Sequence, residues 1–226
     1  MRALIVGNSD GIGLALTRRL LGEGWQVTGV SRSPAPAAAG DAAEHHVVDV
    51  TSPEFARVLA SLPGFDLAVY AAGVGDTLTS DLGVQTRAIE VNLLGAARMI
   101  EAVVPPMLAA GRGHVIGLSS MADGLISADA PGYAASKAGL TSYLLSLDAA
   151  LRPRGVAVSA VRFGFVDTKM AKSPVTPFKI SAEEAADVLL RCVRKRTALV
   201  SFPRRMAALT GAVGPALRLG ARLRRG

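Results

Sequence analysis

Arg2-Ala-Leu-Ile-Val-Gly7-Asn-Ser-Asp-Gly11-Ile-Gly13 stands at the start of the chain, and its reading decides the fold. The apolar run Ala3 to Val6 is too short for a buried helix and suits a strand covered on both faces. Leu14 to Leu21 then takes helical spacing, until Gly22 and Gly24 end it. Strand, glycine turn and helix in that order place the turn at the carboxyl end of a strand. There, glycines let the backbone turn tightly and approach a pyrophosphate, and the helix N-terminus offers free N–H groups and partial positive charge. The spacing Gly7-x3-Gly11-x-Gly13 differs from the Gly-x-Gly-x2-Gly of many dinucleotide-binding turns. Gly7, Ser9, Gly11, Ile12 and Gly13 are the candidate phosphate-side residues.

Outward from this turn, strands and helices alternate. Trp25–Val30 reads as a second strand, Val47-Val48 before Asp49 as a third, and Leu67–Ala71 as a fourth. A helix spans Pro53–Leu62 between the last two. A long helical pattern runs from Asp81 to Ala110, through Gly95 and past Pro105-Pro106. Strand His114–Leu118, a Ser-rich loop, helix Tyr133–Leu151 and strand Val156–Arg162 follow, then helix Glu183–Arg194 and strand Ala198–Phe202. Such alternation implies βαβ units, hence a Rossmann-type doubly wound parallel α/β sheet in a single domain. Pro34–Ala43 reads as a loop. Residues 1–202 form the expected domain and 203–226 an extension.

Composition agrees. The 226 residues are 50% hydrophobic and 19% charged, with 24 Gly and 12 Pro, which is globular and excludes disorder and collagen. No uninterrupted apolar run reaches the ~18 residues that span a bilayer, and Ala3–Val6 is too short for a signal-peptide core. Cys192 is the lone cysteine, and His45, His46 and His114 lack metal-ligand spacing. A cytoplasmic protein is the expectation. The net charge of +7 belongs to one end: from Arg191 onward there are ten Lys or Arg and no Asp or Glu.

The second strand ends Val30-Ser31-Arg32-Ser33. No Asp or Glu stands there to accept the adenosine ribose hydroxyls of NAD, whereas the Arg32 guanidinium suits the 2′-phosphate of NADP. Asp10, in the glycine turn, lies close to where that phosphate would sit and counts against it. NADP is favoured, with NAD the alternative. Asp49-Val50 closes the third strand and either flanks the adenine or belongs to the cap region before Pro53.

Tyr133 and Lys137 are spaced i, i+4 on one helix face. A phenol is a poor base at neutral pH, and a nearby ammonium is expected to stabilise the phenolate and pull its pKa down. Such a tyrosine passes a proton to or from an alcohol oxygen. The pair opens the helix after strand His114–Leu118, and Ser119-Ser120 ends that strand with a hydroxyl for a substrate oxygen.

These residues together resemble the short-chain dehydrogenase/reductase family. The resemblance runs from Gly7 to about Thr168 on Gly7-x3-Gly11-Ile12-Gly13, Ala71-Ala72-Gly73, Asn92-x2-Gly95, Ser119-Ser120, Tyr133-x3-Lys137 and Gly164…Thr168. It implies Tyr133 as the acid/base, with Ser120, thirteen residues before it, holding the substrate carbonyl oxygen. It implies that Lys137 binds the nicotinamide ribose and that Asn92 fixes a helix kink and a water of the proton relay. Ala72 and Gly73 would line the cofactor crevice, and Gly164, Val166 and Thr168 the nicotinamide end. Three positions depart from the family pattern: Val6 for Thr, Ala71 for the Asn of Asn-Ala-Gly, and Phe163 for Pro.

The expected activity is interconversion of a carbonyl and a secondary alcohol, in a homodimer or homotetramer. The alternative is a non-catalytic dinucleotide-binding sensor or scaffold. Lys169–Ser181 is the expected short substrate lid, and Asp167 is either part of the substrate side or a solvated surface residue. In the extension, Leu209, Val213, Leu217, Leu219 and Leu223 alternate with arginines around Gly214-Pro215. It reads as a segment docking on its own domain or a neighbouring subunit, or as a basic amphipathic membrane contact. Nucleic acid is disfavoured, because no aromatic residue follows Phe202 for base stacking.

Overall fold

The computed structural model describes residues 1–34, 43–170 and 176–208. Seven strands form one parallel sheet: β1 (Arg2–Val6), β2 (Gln26–Ser31), β3 (Ala43–Val47), β4 (Leu67–Tyr70), β5 (Gly113–Ser120), β6 (Val156–Phe163) and β7 (Leu199–Phe202). Their order is β3-β2-β1-β4-β5-β6-β7, so the chain reverses direction across the sheet between β1 and β4. That switch point is where an open α/β sheet forms its ligand crevice.

Helices cover both faces: α1 (Gly11–Gly22), α2 (Pro53–Ser61), α3 (Gly83–Ile89), α4 (Gly95–Ala109), α5 (Pro131–Leu151) and α6 (Ala182–Lys195). Strand side chains alternate between faces. Leu4 and Val6 enter one core with Tyr70, Met99, Val115 and Leu144, while Ala3 and Ile5 enter the other with Leu16, Leu20, Val161 and Leu189. Local signals agree with these ends. Ser52 caps α2 ahead of Pro53, and Ser181 with Glu184 forms a reciprocal capping box on α6.

Three elements differ from the sequence expectation. The third strand is Ala43–Val47, not Val47-Val48. It is one edge of the sheet, and its Glu44, His45 and His46 carry no apolar run to betray it. The first helix starts at Gly11 with Asp10 as its N-cap, so two of the glycines lie inside it. The long helix is interrupted by a π-turn, Glu90–Leu94, between α3 and α4. The Tyr70 hydroxyl donates to the Val91 carbonyl within that turn at 2.5 Å, giving one widened-turn acceptor a partner from the sheet. The whole Gly83–Ala109 helix is 27 residues long and apolar enough to cross a membrane, with half of its most apolar window buried. Met99, Ile100, Val103 and Met107 pack it against the sheet core.

The departures from the family pattern are absorbed in packing. Val6 and Phe163 are buried in the two cores, and the Ala71 amide donates to the Val6 carbonyl at 2.8 Å. The extension's first turn, around Met206, lies against Gly164 closely enough that a Cβ there would overlap the Met206 sulfur. Most of the Pro34–Ala43 loop, part of the Lys169–Ser181 lid, and residues 209–226 lie outside the described residues.

Candidate active site

The glycine turn is held by backbone contact. Gly7 has φ +91° and donates its N–H to the Val30 carbonyl at 2.7 Å. A Cβ on Gly13 would overlap the Gly7 carbonyl oxygen, so the chain doubles back on itself only without side chains. Gly11 sits 3.0 Å, measured from an added Cβ, from the Thr168 methyl of the segment after β6. Ser9 and Ile12 are half-buried beside it. This is a backbone cradle at a helix N-terminus, and it fits a dinucleotide pyrophosphate.

Asp10 accepts from the Gly11 amide at 2.8 Å and pairs with Lys169 at 2.7 Å. The Lys169 ammonium and the Gly11 amide hold its carboxyl below the usual aspartate range. The negative charge that counted against a 2′-phosphate is thus paired, by a residue the sequence reading passed over. Arg32 is exposed just beyond β2. Ser31 is buried, its hydroxyl donating to the Ser33 carbonyl at 2.6 Å and lying 3.3 Å from His45 Nε2.

Asp49 lies in the cap region before Pro53, where its carbonyl accepts from the amide of Ser52, the N-cap of α2. Asp49 Oδ1 accepts from the Thr51 amide and hydroxyl, and its Oδ2 from Arg87 of α3 at 2.6 Å. Burial pushes its carboxyl up, but the Thr51 and Arg87 bonds outweigh this and hold it low. Val50 is buried beside Gly95. The Asp49 carboxylate is therefore committed to α3 and the Thr51 turn.

Asn92, in the π-turn, is fully buried. Its Oδ1 accepts from the Val74 amide at 2.8 Å, and its Nδ2 donates to the Val74 carbonyl and to Ser136 Oγ, each at 2.9 Å. The loop Ala71-Ala72-Gly73 after β4 is thereby tied to the long helix and to α5. Gly73 lies at the centre: a Cβ on it would stand 3.3 Å from Asn92 Oδ1, 3.7 Å from Lys137 Nζ and 3.2 Å from the Met170 methyl.

The two serines separate. Ser119 Oγ turns to α5, donating to the Lys137 carbonyl at 3.1 Å and lying 2.6 Å from Thr141 Oγ1. Ser120 Oγ accepts from the Ala122 amide at 3.2 Å, capping a short 3-10 turn, Met121–Gly124. Lys137 is buried, with Nζ donating to the Leu118 carbonyl at 2.8 Å and lying 5.7 Å from the Tyr133 ring centroid.

Burial pushes the Tyr133 phenol above its ordinary value; Ser120 works against this and the Asp123 charge adds to it. Burial also lowers Lys137 from 10.5 to about 8.

After β6, Val166 bridges to Ile180, and the Asp167 amide donates to the Ile180 carbonyl at 2.8 Å. Asp167 pairs with Lys179 at 3.1 Å across the base of the lid. Gly164, Val166 and Thr168 therefore run along one rim of the crevice, with Thr168 touching Gly11 and Met170 reaching Gly73. Sequence reasoning missed Ser136 and Gly75 and saw Lys169 and Met170 only as part of the lid, because their importance depends on contacts across the fold.

The short chain dehydrogenase family model matches residues 1–177. An uncharacterized oxidoreductase of Myxococcus xanthus is 34% identical over 227 residues, covering 92% of this chain and 89% of the relative. A 3-oxoacyl-[acyl-carrier-protein] reductase, FabG, of Vibrio cholerae is 32% identical over 184 residues, covering 76% of this chain and 75% of the relative. Among solved structures, a short chain dehydrogenase from Burkholderia cenocepacia in complex with NADP superposes with a TM-score of 0.85 at 25% identity, covering 100% of this chain and 98% of the other.

Proposed function

Since the chain belongs to the short-chain dehydrogenase family of NAD(P)-dependent oxidoreductases, we propose that it interconverts a carbonyl and a secondary alcohol, with Tyr133 passing the proton. One observation carries this reading: Lys137 lies 5.7 Å from the Tyr133 ring centroid, with Lys137 against Gly73 and Tyr133 against Gly75 of the loop that Asn92 binds, and Ser120 at the end of β5. A nicotinamide cofactor, when bound, supplies or accepts the hydride.

Ser120 Oγ, on the same side as the phenol, is placed to donate to a substrate oxygen as negative charge develops on it. Tyr133, kept protonated by its burial, gives its proton to that oxygen in the reductive direction and takes it back in the oxidative one. Lys137 is the buried ammonium of the crevice, positioned toward ribose hydroxyls, and its lowered proton affinity lets it exchange protons near neutral pH. Asn92 holds Val74, and through it the Gly73 turn, against α5. Gly7, Ser9, Gly11, Ile12, Gly13, Ser31, Arg32, Val50, Ala72, Gly164, Val166 and Thr168 form the proposed cofactor wall, with Asp49 bracing it through Arg87.

NADP is the preferred cofactor in this reading. Arg32 is exposed at the end of β2, and Lys169 neutralises Asp10, the one carboxylate in the glycine turn. Exposed Ile89 and Leu94 on the long helix and Tyr143 on α5 support self-association through those helices.

Thermal unfolding with NADPH and NADH side by side, followed by a carbonyl panel read by NADPH oxidation, tests the reading. Stabilisation by NADPH at lower concentration than NADH, with turnover on part of the panel, is expected. A Tyr133→Phe variant keeps the stabilisation and loses nearly all turnover; undiminished turnover overturns the role of Tyr133.

A further inference from the structure

Beneath the proposed proton-transfer residues runs a polar chain that the reaction itself does not use. Thr141 Oγ1, in contact with Ser119 Oγ, donates to Asp123 Oδ2 at 2.8 Å, and Arg162 Nη2 donates to Asp123 Oδ1 at 2.7 Å. The chain thus joins the end of β5, the 3-10 turn, the third turn of α5 and β6. Both carboxylate oxygens are occupied, and Asp123 is only 8% exposed. Arg162 is buried enough that its Nε has no partner. A charge pair with this little water gains little net stability over an apolar pair of the same size, so its placement calls for another reason.

Asp123 lies three residues after Ser120, in the turn that the Ser120 hydroxyl itself caps. Its carboxylate binds the helix that carries Tyr133 and Lys137. We propose that Asp123 is a positioning residue that fixes the Ser120 turn against α5, and that the Asp123–Arg162 pair sets the charge facing Tyr133. This inference rests on the acid/base reading of Tyr133 and deepens it.

The charged groups around Tyr133 fix the signs. Lys137 is on its own helix, facing the ring. Asp123 approaches from the 3-10 turn, and its negative charge raises the phenol's proton affinity. Arg162 on β6 reaches it through Asp123 and offsets that charge. The loop after β4 lays Gly75 on the ring, with Asp76 next to it and exposed. Removing the Asp123 charge alone frees the phenol's proton; removing the Arg162 charge alone holds it more tightly.

The test needs no substrate. Phenolate absorbance is read for the full chain at one alkaline pH where circular dichroism shows every variant native, with Tyr133→Phe subtracted to remove Tyr70 and Tyr143. Asp123→Asn keeps the Thr141 hydrogen bond and is expected to raise the Tyr133 phenolate signal about three- to ten-fold, a shift of roughly 0.5–1 pH unit. Arg162→Met is expected to lower it by about three-fold, and Arg162→Lys to leave it near wild type. If Arg162→Met fails to fold, Asp123→Asn against Arg162→Lys decides. A signal unchanged in Asp123→Asn, or moved the same way by Asp123→Asn and Arg162→Met, overturns the proposal and leaves the pair purely structural. Failure of the acid/base reading would show separately, as a Tyr133→Phe enzyme that still turns over.

Discussion

Asn92 and Val74 exchange two hydrogen bonds, the Val74 amide donating to Oδ1 and Nδ2 donating to the Val74 carbonyl. One buried side chain thus satisfies the whole peptide of a loop residue, as a neighbouring strand would. The π-turn makes this possible, because it widens the helix at the position that faces the loop after β4. Asn92 is therefore an architectural link between the loop after β4 and α5 before it is anything chemical.

Asn92→Ala should leave the Val74 amide and carbonyl without partners in a dry site. Each orphaned group costs about 1–3 kcal/mol, so a fall in stability of roughly 2–4 kcal/mol is expected by denaturant unfolding. Dinucleotide affinity, read by fluorescence titration, should fall as well, since the Gly73 turn loses its anchor. A stable variant with intact affinity would show that the loop holds itself.

Lys137 makes a prediction of opposite sign. Its proton affinity falls from 10.5 in the unfolded chain to about 8 in the fold. Between those values the unfolded state binds the extra proton, so stability rises as pH climbs from about 8 to 10.5 and is flat in this group below pH 8. Lys137→Met should remove that slope. It should also raise the cofactor-free melting temperature near pH 7 by a few degrees, about 1–2 kcal/mol after the Leu118 carbonyl loses its donor. Thermal melts at two pH values check both; a variant less stable at pH 7, with the slope retained, contradicts the assignment.

Strands buried on both faces show in the sequence as apolar runs, which is why β1, β2, β4, β5 and β6 were legible; β7, at one edge of the sheet, was legible because it keeps the apolar residues Leu199, Val200 and Phe202. The edge strand Ala43–Val47 escaped because its Glu44, His45 and His46 face a neighbour on one side only. Residue spacing did not show the π-turn, because Glu90–Leu94 keeps ordinary helical spacing, and only the family resemblance put a kink at Asn92; the Tyr70 hydroxyl and the Asn92 bonds hold it from outside the helix. At the site, the glycines of the first turn were legible because backbone geometry dictates their type. Asp10 with Lys169, and Asp123 with Arg162, were not, because each pair forms between distant segments whose charged residues look alike on any surface.

Arg32 and Lys169 should separate in cofactor titrations. Arg32→Ala removes a forked donor that only a 2′-phosphate uses, so NADPH affinity should fall about ten-fold or more while NADH changes little. Lys169→Ala uncovers the Asp10 carboxylate beside the cradle. The pair is exposed and worth at most ~1 kcal/mol, so both cofactors should weaken by about three- to five-fold. Equal loss of the two cofactors in Arg32→Ala removes the case for a 2′-phosphate seat.

Gly75 offers the sharpest separation of activity from stability. A Cβ on it would stand 2.9 Å from Tyr133 Cδ2, inside the contact distance of the ring. Its loop is otherwise half-buried, so the backbone loses little by the change. Gly75→Ala should displace the phenol by a few tenths of an ångström. Proton transfer depends on heavy-atom separations of about 2.6–3.2 Å, and small misplacements of reacting groups cost up to ~100-fold in rate. The expected outcome is turnover reduced about ten- to a hundred-fold with NADPH affinity unchanged and the melting temperature within a few degrees of wild type. Steady-state kinetics beside a thermal melt gives the answer, and full activity in Gly75→Ala would place the working position of Tyr133 away from the Gly75 contact.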